Sequence, residues 1–167
     1  MATYRRAVRV DAPLEAVWEF HSRIEGLRAL TPDWMNLRVE AVRGPDGSDR
    51  TAETDHTLAA GTEIDLSVRP FGVGPRQRWT SRITRRDRGD GSAVFEDVMD
   101  DGPFPRWRHV HGFYADGEGT LVRDRVTYDL PVVGSVPVVG DLLGPLGWLG
   151  FEPMFRDRHR RTRQILE

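Results

Sequence analysis

Arg106-Trp107-Arg108-His109-Val110-His111-Gly112-Phe113-Tyr114, followed after Asp116-Gly117-Glu118-Gly119 by Thr120-Leu121-Val122-Arg123-Asp124-Arg125-Val126-Thr127-Tyr128, is the stretch that decides the fold. Both runs alternate with a period of two, as strands with one buried face do. The Asp-Gly pair between them is a hairpin signal. Partners across an antiparallel pair sum to a constant, so counting back from the turn sets His111 opposite Asp124, His109 opposite Val126 and Trp107 opposite Tyr128. The inward side is then Trp107, His109, His111 and Phe113 facing Val122, Asp124, Val126 and Tyr128. An apolar wall with a polar centre suits a protein that encloses a small apolar molecule and orients it with a few hydrogen bonds.

Upstream, Ala93 to Met99 joins this meander with Phe95, Asp97 and Met99 inward. Asp97 either extends the polar patch or lies solvated at the sheet rim, and the rim reading is preferred. Gly61 to Arg69 alternates strictly, with Ile64, Leu66 and Val68 on one face. Gln77 to Thr84 continues with Trp79 and Ile83 inward, and Leu37 to Val42 is a further strand. Tyr4 to Val10 alternates weakly and ends at Asp11-Ala12-Pro13, where Asp11 is positioned to cap a helix and Pro13 to sit in its first turn. Leu14, Val17 and Trp18 then recur at helical spacing. Gly44 to Gly61 is polar and long, and reads as a disordered connection rather than a flap. From Phe151 the pattern is helical again, with Phe155, Thr162, Ile165 and Leu166 on one face. Strand, helix, six strands and a closing helix describe an α+β domain, one unit over residues 1–167.

Composition narrows the function classes. A chain of 167 residues can bury roughly 70% of the surface its unfolded form exposes, enough for one core. Cys is absent, which excludes disulfides, thiolate metal sites and a cysteine nucleophile. The first residues show no apolar secretory core, so a cytoplasmic location is expected. A formal charge of -2 gives no field that would favour nucleic acid. All 24 basic residues are Arg, which reads as coding bias. The five arginines between Arg156 and Arg163 read as a solvated helix face. Residues 131–150 are apolar but broken by Gly and Pro, too irregular for a membrane-spanning helix. They read as packing across a cavity mouth, with transient membrane contact through 132–149 or a docked protein partner as alternatives.

Val10-Asp11-Ala12-Pro13-Leu14-Glu15-Ala16-Val17-Trp18 at the first strand–helix junction resembles the START-like, or polyketide cyclase/dehydrase and lipid-transport, superfamily. Gly102-Pro103-Phe104 with Trp107-x-His109-x-His111-x-Phe113, followed by Asp124, Tyr128, Leu130 and Pro131, is similar to a ligand-binding subgroup of it. The resemblance covers essentially the whole chain. It implies a helix-grip (Bet v 1/START-like) fold: a seven-stranded antiparallel sheet curled round a long C-terminal helix, two short helices after the first strand, and a cavity between sheet and helix. It implies binding of a hydrophobic molecule of the lipid, isoprenoid or polyketide class, with no invariant catalytic set. The Gly and Pro content of residues 131–150 departs from the family pattern and makes the approach to the last helix irregular.

Trp34, Met35, Trp79, Phe95, Phe104, Trp107, Phe113, Val126 and Phe155 are the candidate apolar walls; His109, His111, Asp124 and Tyr128 are the candidate polar contacts. His109, His111 and Asp124 are residue types that ligate metals, but His-x-His is common in strands and the spacing supplies no fourth ligand, so no metal is assigned. Asp124 can instead fix the tautomer of His111, either to present its other nitrogen to a ligand or merely to pair two buried groups. As an enzyme the chain would use His111, Asp124 and Tyr128 for proton transfer without a cofactor. No nucleophile elbow or phosphate loop is present, and Gly72-Val73-Gly74-Pro75 lacks the rest of a dinucleotide fingerprint. Binding therefore ranks above catalysis, and no cofactor is expected.

Overall fold

Alternation along the chain produces seven strands: β1 (Ala2–Val10), β2 (Arg38–Arg43), β3 (Glu63–Val68), β4 (Gln77–Gly89), β5 (Ser92–Asp100), β6 (Arg106–Asp116) and β7 (Gly119–Asp129). They form one antiparallel sheet in the order β1-β7-β6-β5-β4-β3-β2. The helices are α1 (Leu14–His21), α2 (Ile24–Leu30) and α3 (Gly147–Leu166). This computed structural model describes residues 1–53, 57–129 and 147–167, with 147–150 described by backbone alone. The segment 132–149, on which membrane or partner contact would rest, lies almost wholly outside the described residues. Among those that are described, no helix is long and apolar enough to cross a membrane.

The register of the decisive hairpin is the one its turn dictates: Trp107 pairs with Tyr128, His109 with Val126 and His111 with Asp124. Gly117 supplies the φ of 63° that the tight turn demands, a conformation a side chain would strain. On β4 the register shifts between Ile83 and Arg85. That bulge changes the phase of alternation. Trp79, Ser81 and Ile83 face inward before it, and beyond it the guanidinium of Arg86 lies 4.8 Å from the centre of the Trp18 ring.

Two apolar clusters hold the sheet against the helices. One gathers Val17, Trp18, Ile24, Ile64, Ile83, Phe113 and Val122; the other gathers Tyr4, Val126, Tyr128, Phe151 and Phe155. Burying a side chain of this size contributes about 1.5–3 kcal/mol. α2 closes tightly on the end of α1, because a Cβ at Gly26 would sit 1.9 Å from the Phe20 carbonyl oxygen.

Three local expectations are corrected. Asp11 does not cap α1: Pro13 holds the N-cap position, and the Asp11 carboxylate pairs with Arg9 instead. Ile165 is not on the buried stripe of α3; it is 47% exposed, whereas Phe155 and Thr162 are fully covered. The Gly44–Gly61 connection is tied down among its described residues: Gly44 and Arg50 donate to Ser48 and Val42 at 2.9 and 2.8 Å, Gly61 donates to Ile83 at 2.8 Å, and Leu58 is in the core. Its residues 54–56 lie outside the described set.

Phe113→Ala is expected to cost about 3–5 kcal/mol, as large aromatic truncations in cores do, while Ile165→Ala stays within about 0.5 kcal/mol as a surface change. Urea denaturation of both variants checks this.

Candidate functional site

Between the two apolar clusters runs a polar seam. Following the inward side chains along β7 gives Val122, Asp124, Val126 and Tyr128; along β6 it gives Phe113, His111, His109 and Trp107. The polar residues fall midway, where the clusters meet. α3 adds His159, one turn beyond Phe155. The Asp124 carboxylate is the hub: His109 Nε2 donates to Oδ1 at 2.9 Å and His159 Nε2 donates to Oδ2 at 2.5 Å. His111 Nδ1 also lies 2.7 Å from Oδ1 but off the line a hydrogen bond needs, and so lacks an aligned partner. The His109 and His111 rings stand 3.7 Å apart, centre to centre. With Nε2 of His109 turned to Asp124, its Nδ1 faces Asp97 at 3.8 Å, the same distance that separates Asp97 from His111 Nε2.

Burial dominates the electrostatics. Alone it would push the Asp124 carboxyl up, but the neighbouring His111 and the histidine hydrogen bonds hold it well below the usual range, so it is an anion. Burial and the adjacent His109 push His111 well below the ordinary histidine value, so it is neutral. His21, whose Nδ1 donates to the Val17 carbonyl at 2.8 Å, is pushed down to about 3 by burial and by Arg158. Asp97 moves the other way, because desolvation raises its carboxyl more than His109 and Ser81 lower it.

A cavity of about 220 Å³ opens beside this seam, between the sheet and α3. Eight of the expected residues line it: Met35, Trp79, Phe95, Phe104, Trp107, His109, His111 and Phe155. Phe113, Asp124, Val126 and Tyr128 do not reach it and stand behind it as support; Phe113 is wedged against Trp18 and His21. Trp34 is elsewhere, stacked on Phe71 at 5.0 Å, while its neighbour Met35 lines the cavity as expected. The expectation that Asp97 is solvated at the rim is corrected: it lines the cavity with its side chain 15% exposed. Among the polar residues that escaped the sequence reading are His159 of the seam and Arg158 of the cavity lining. His159 was legible, since it falls four after Phe155 and three before Thr162 on the same helical stripe. Arg158 had no such signal, being one of a run of arginines.

These features coincide with a family match. The family "Polyketide cyclase / dehydrase and lipid transport" matches residues 10–157. The chain belongs to that family. Protein TTHA0849 from Thermus thermophilus superposes with a TM-score of 0.62 at 21% identity, covering 99% of both chains. A START superfamily protein from Mycobacterium smegmatis gives 0.61 at 15% identity, again over 99% of both. A norcoclaurine synthase from Thalictrum, solved with a transition-state analogue, gives 0.65 at 15% identity, covering 98% of this chain and 92% of its own. At such identities the likeness is one of fold. No curated protein matches the sequence.

In this family member, Asp97, His109 and His111 offer donor atoms within 4.8 Å of one another, and are the described residues that could converge on a cation. Asp124 would then orient both imidazoles from behind. Arg158 lines the same cavity, and its positive charge opposes a divalent cation there.

The neutral state of His21 and His111 makes stability fall with acid. Below pH about 6.5 these histidines take up protons in the unfolded chain but not in the folded one, so unfolding is favoured as pH drops. Asp124 adds to the loss below pH about 4, where the unfolded carboxyl protonates first. Asp97, raised by burial, has the opposite sign and recovers part of it. Denaturation midpoints are expected to fall from pH 7 to pH 5, with a shallower fall in His21→Gln.

Proposed function

We propose that the protein binds a hydrophobic small molecule of the lipid, isoprenoid or polyketide class in the cavity between the sheet and α3. The observation that carries this reading is an aromatic and aliphatic cavity whose lining includes His109 and His111. Asp124 orients His109 from behind by a hydrogen bond and lies 2.7 Å from His111 Nδ1, which leaves the opposite nitrogens of the two rings for a polar head group. Trp79, Phe95, Trp107 and Phe155 supply the apolar contact. Family membership supports the same reading, since the superfamily commonly binds hydrophobic ligands. Native mass spectrometry of the purified protein is expected to show a defined apolar adduct that Trp107→Ala removes. A protein that carries no adduct and binds none of a lipid and polyketide panel would defeat the reading.

A second reading rests on the contrast between Asp97, driven toward its protonated form, and His111, held neutral, 3.8 Å away. An acid whose neutral form burial favours, beside an imidazole held as the neutral base, can together move a proton on a bound enol or carbonyl compound. The activity would be a cofactor-free cyclisation or dehydration. Turnover of a polyketide-like substrate is expected to fall by about 10²–10⁴-fold in His111→Ala, the usual weight of general acid–base catalysis, without loss of ligand binding. No change would remove the enzymatic reading.

A further inference from the structure

Four arginines bury a guanidinium Nε that makes no hydrogen bond among the described residues: Arg6, Arg23, Arg86 and Arg158. Three of them place another guanidinium nitrogen on a carboxylate. Arg6 meets Glu152, Arg23 meets Glu19 at 3.3 Å, and Arg86 meets Glu19 at 3.6 Å. Arg158 is the exception, with no carboxylate of the described residues within ion-pair distance. It lines the ligand cavity from α3, next to His159.

The two acids nearest in charge do not satisfy it. Asp124 already has both oxygens engaged, Oδ1 by His109 and His111 and Oδ2 by His159. Asp97 lies across the cavity against the two β6 histidines. A guanidinium stays charged at any ordinary pH and offers a planar fork of donors that matches a carboxylate or similar anion. Held in a mostly apolar cavity without such a partner, it is left with donors that a ligand oxygen can fill.

We propose that Arg158 is an anion-recognition residue of the cavity, so that the molecule bound there is an amphipathic organic acid whose acidic group meets the guanidinium while its apolar body lies against Trp79, Trp107 and Phe155. This rests on the cavity-binding reading above and names the chemistry of the head group. Burial favours protonation of Asp97, which removes a repelling charge from the path of the acid.

A matched pair of fluorescent probes tests it: 8-anilinonaphthalene-1-sulfonate and N-phenyl-1-naphthylamine share one skeleton and differ by the anionic group. In fluorescence titrations of the unmodified full chain, the sulfonate is expected to bind at least about tenfold more tightly, the effect of one hydrogen-bonded charge. Displaced Trp79 and Trp107 indole N–H resonances locate both probes in the cavity. Arg158→Met is expected to abolish the preference while the neutral probe still binds, and Arg158→Lys to retain part of it. Equal affinities in the unmodified protein, or a preference that survives in Arg158→Met, would overturn the inference and leave the cavity reading standing. Failure of both probes to bind in the cavity would remove the cavity reading itself. The ratio measured on the unmodified protein decides the matter even where Arg158→Met does not fold.

Discussion

The buried carboxylate of Asp124 is the constraint around which this structure is arranged. It draws donors from β6 and from α3, and thereby fastens the closing helix to the middle of the sheet at a point where two apolar clusters would otherwise simply meet. Hydrophobic contact is non-directional and would tolerate a helix slid along its groove. A carboxylate with specific partners does not, because each displaced imidazole would leave a buried donor unmade. The polar seam therefore sets where α3 lies, and α3 in turn sets what the cavity contains.

The same hub explains how a polar surface survives at the end of an apolar cavity. His109 and His111 each turn one nitrogen toward Asp124 and the other toward Asp97 and the cavity. The His109 ring is held from behind by its hydrogen bond to Asp124, so its orientation is settled before any ligand arrives. Arg158 and Asp97 complete the polar end, one permanently charged and the other pushed toward neutrality. Together they make a cavity that is apolar over most of its lining and discriminating at one place.

Much of this was legible in the chain. The period-two alternation and the Asp-Gly turn specify the β6–β7 register, and a register shifted by one residue would have turned His109, His111 and Asp124 to the other face. The meeting of His111 with Asp124 follows from that arithmetic. The helix-grip architecture was accessible through family resemblance, because the Val10–Trp18 junction and the run from Gly102 to Phe113 resemble motifs of the START-like superfamily. Trp34 was misplaced for the opposite reason: a loop between helix and strand has no period, and its side-chain direction depends on a neighbour, Phe71, that sequence spacing does not relate to it.

Local periodicity settles the strands, their pairing across short turns, and which side chains share a face. Which of those faces a distant element covers depends on packing between elements. The packing of α3 on the sheet brings His159 to the second oxygen of Asp124, carries Arg158 into the cavity while its neighbours Arg156 and Arg160 stay exposed, and draws Asp97 in from an expected rim. Those are contacts between residues far apart in the chain, and their geometry is set by how two curved surfaces fit. No spacing within either surface encodes that fit.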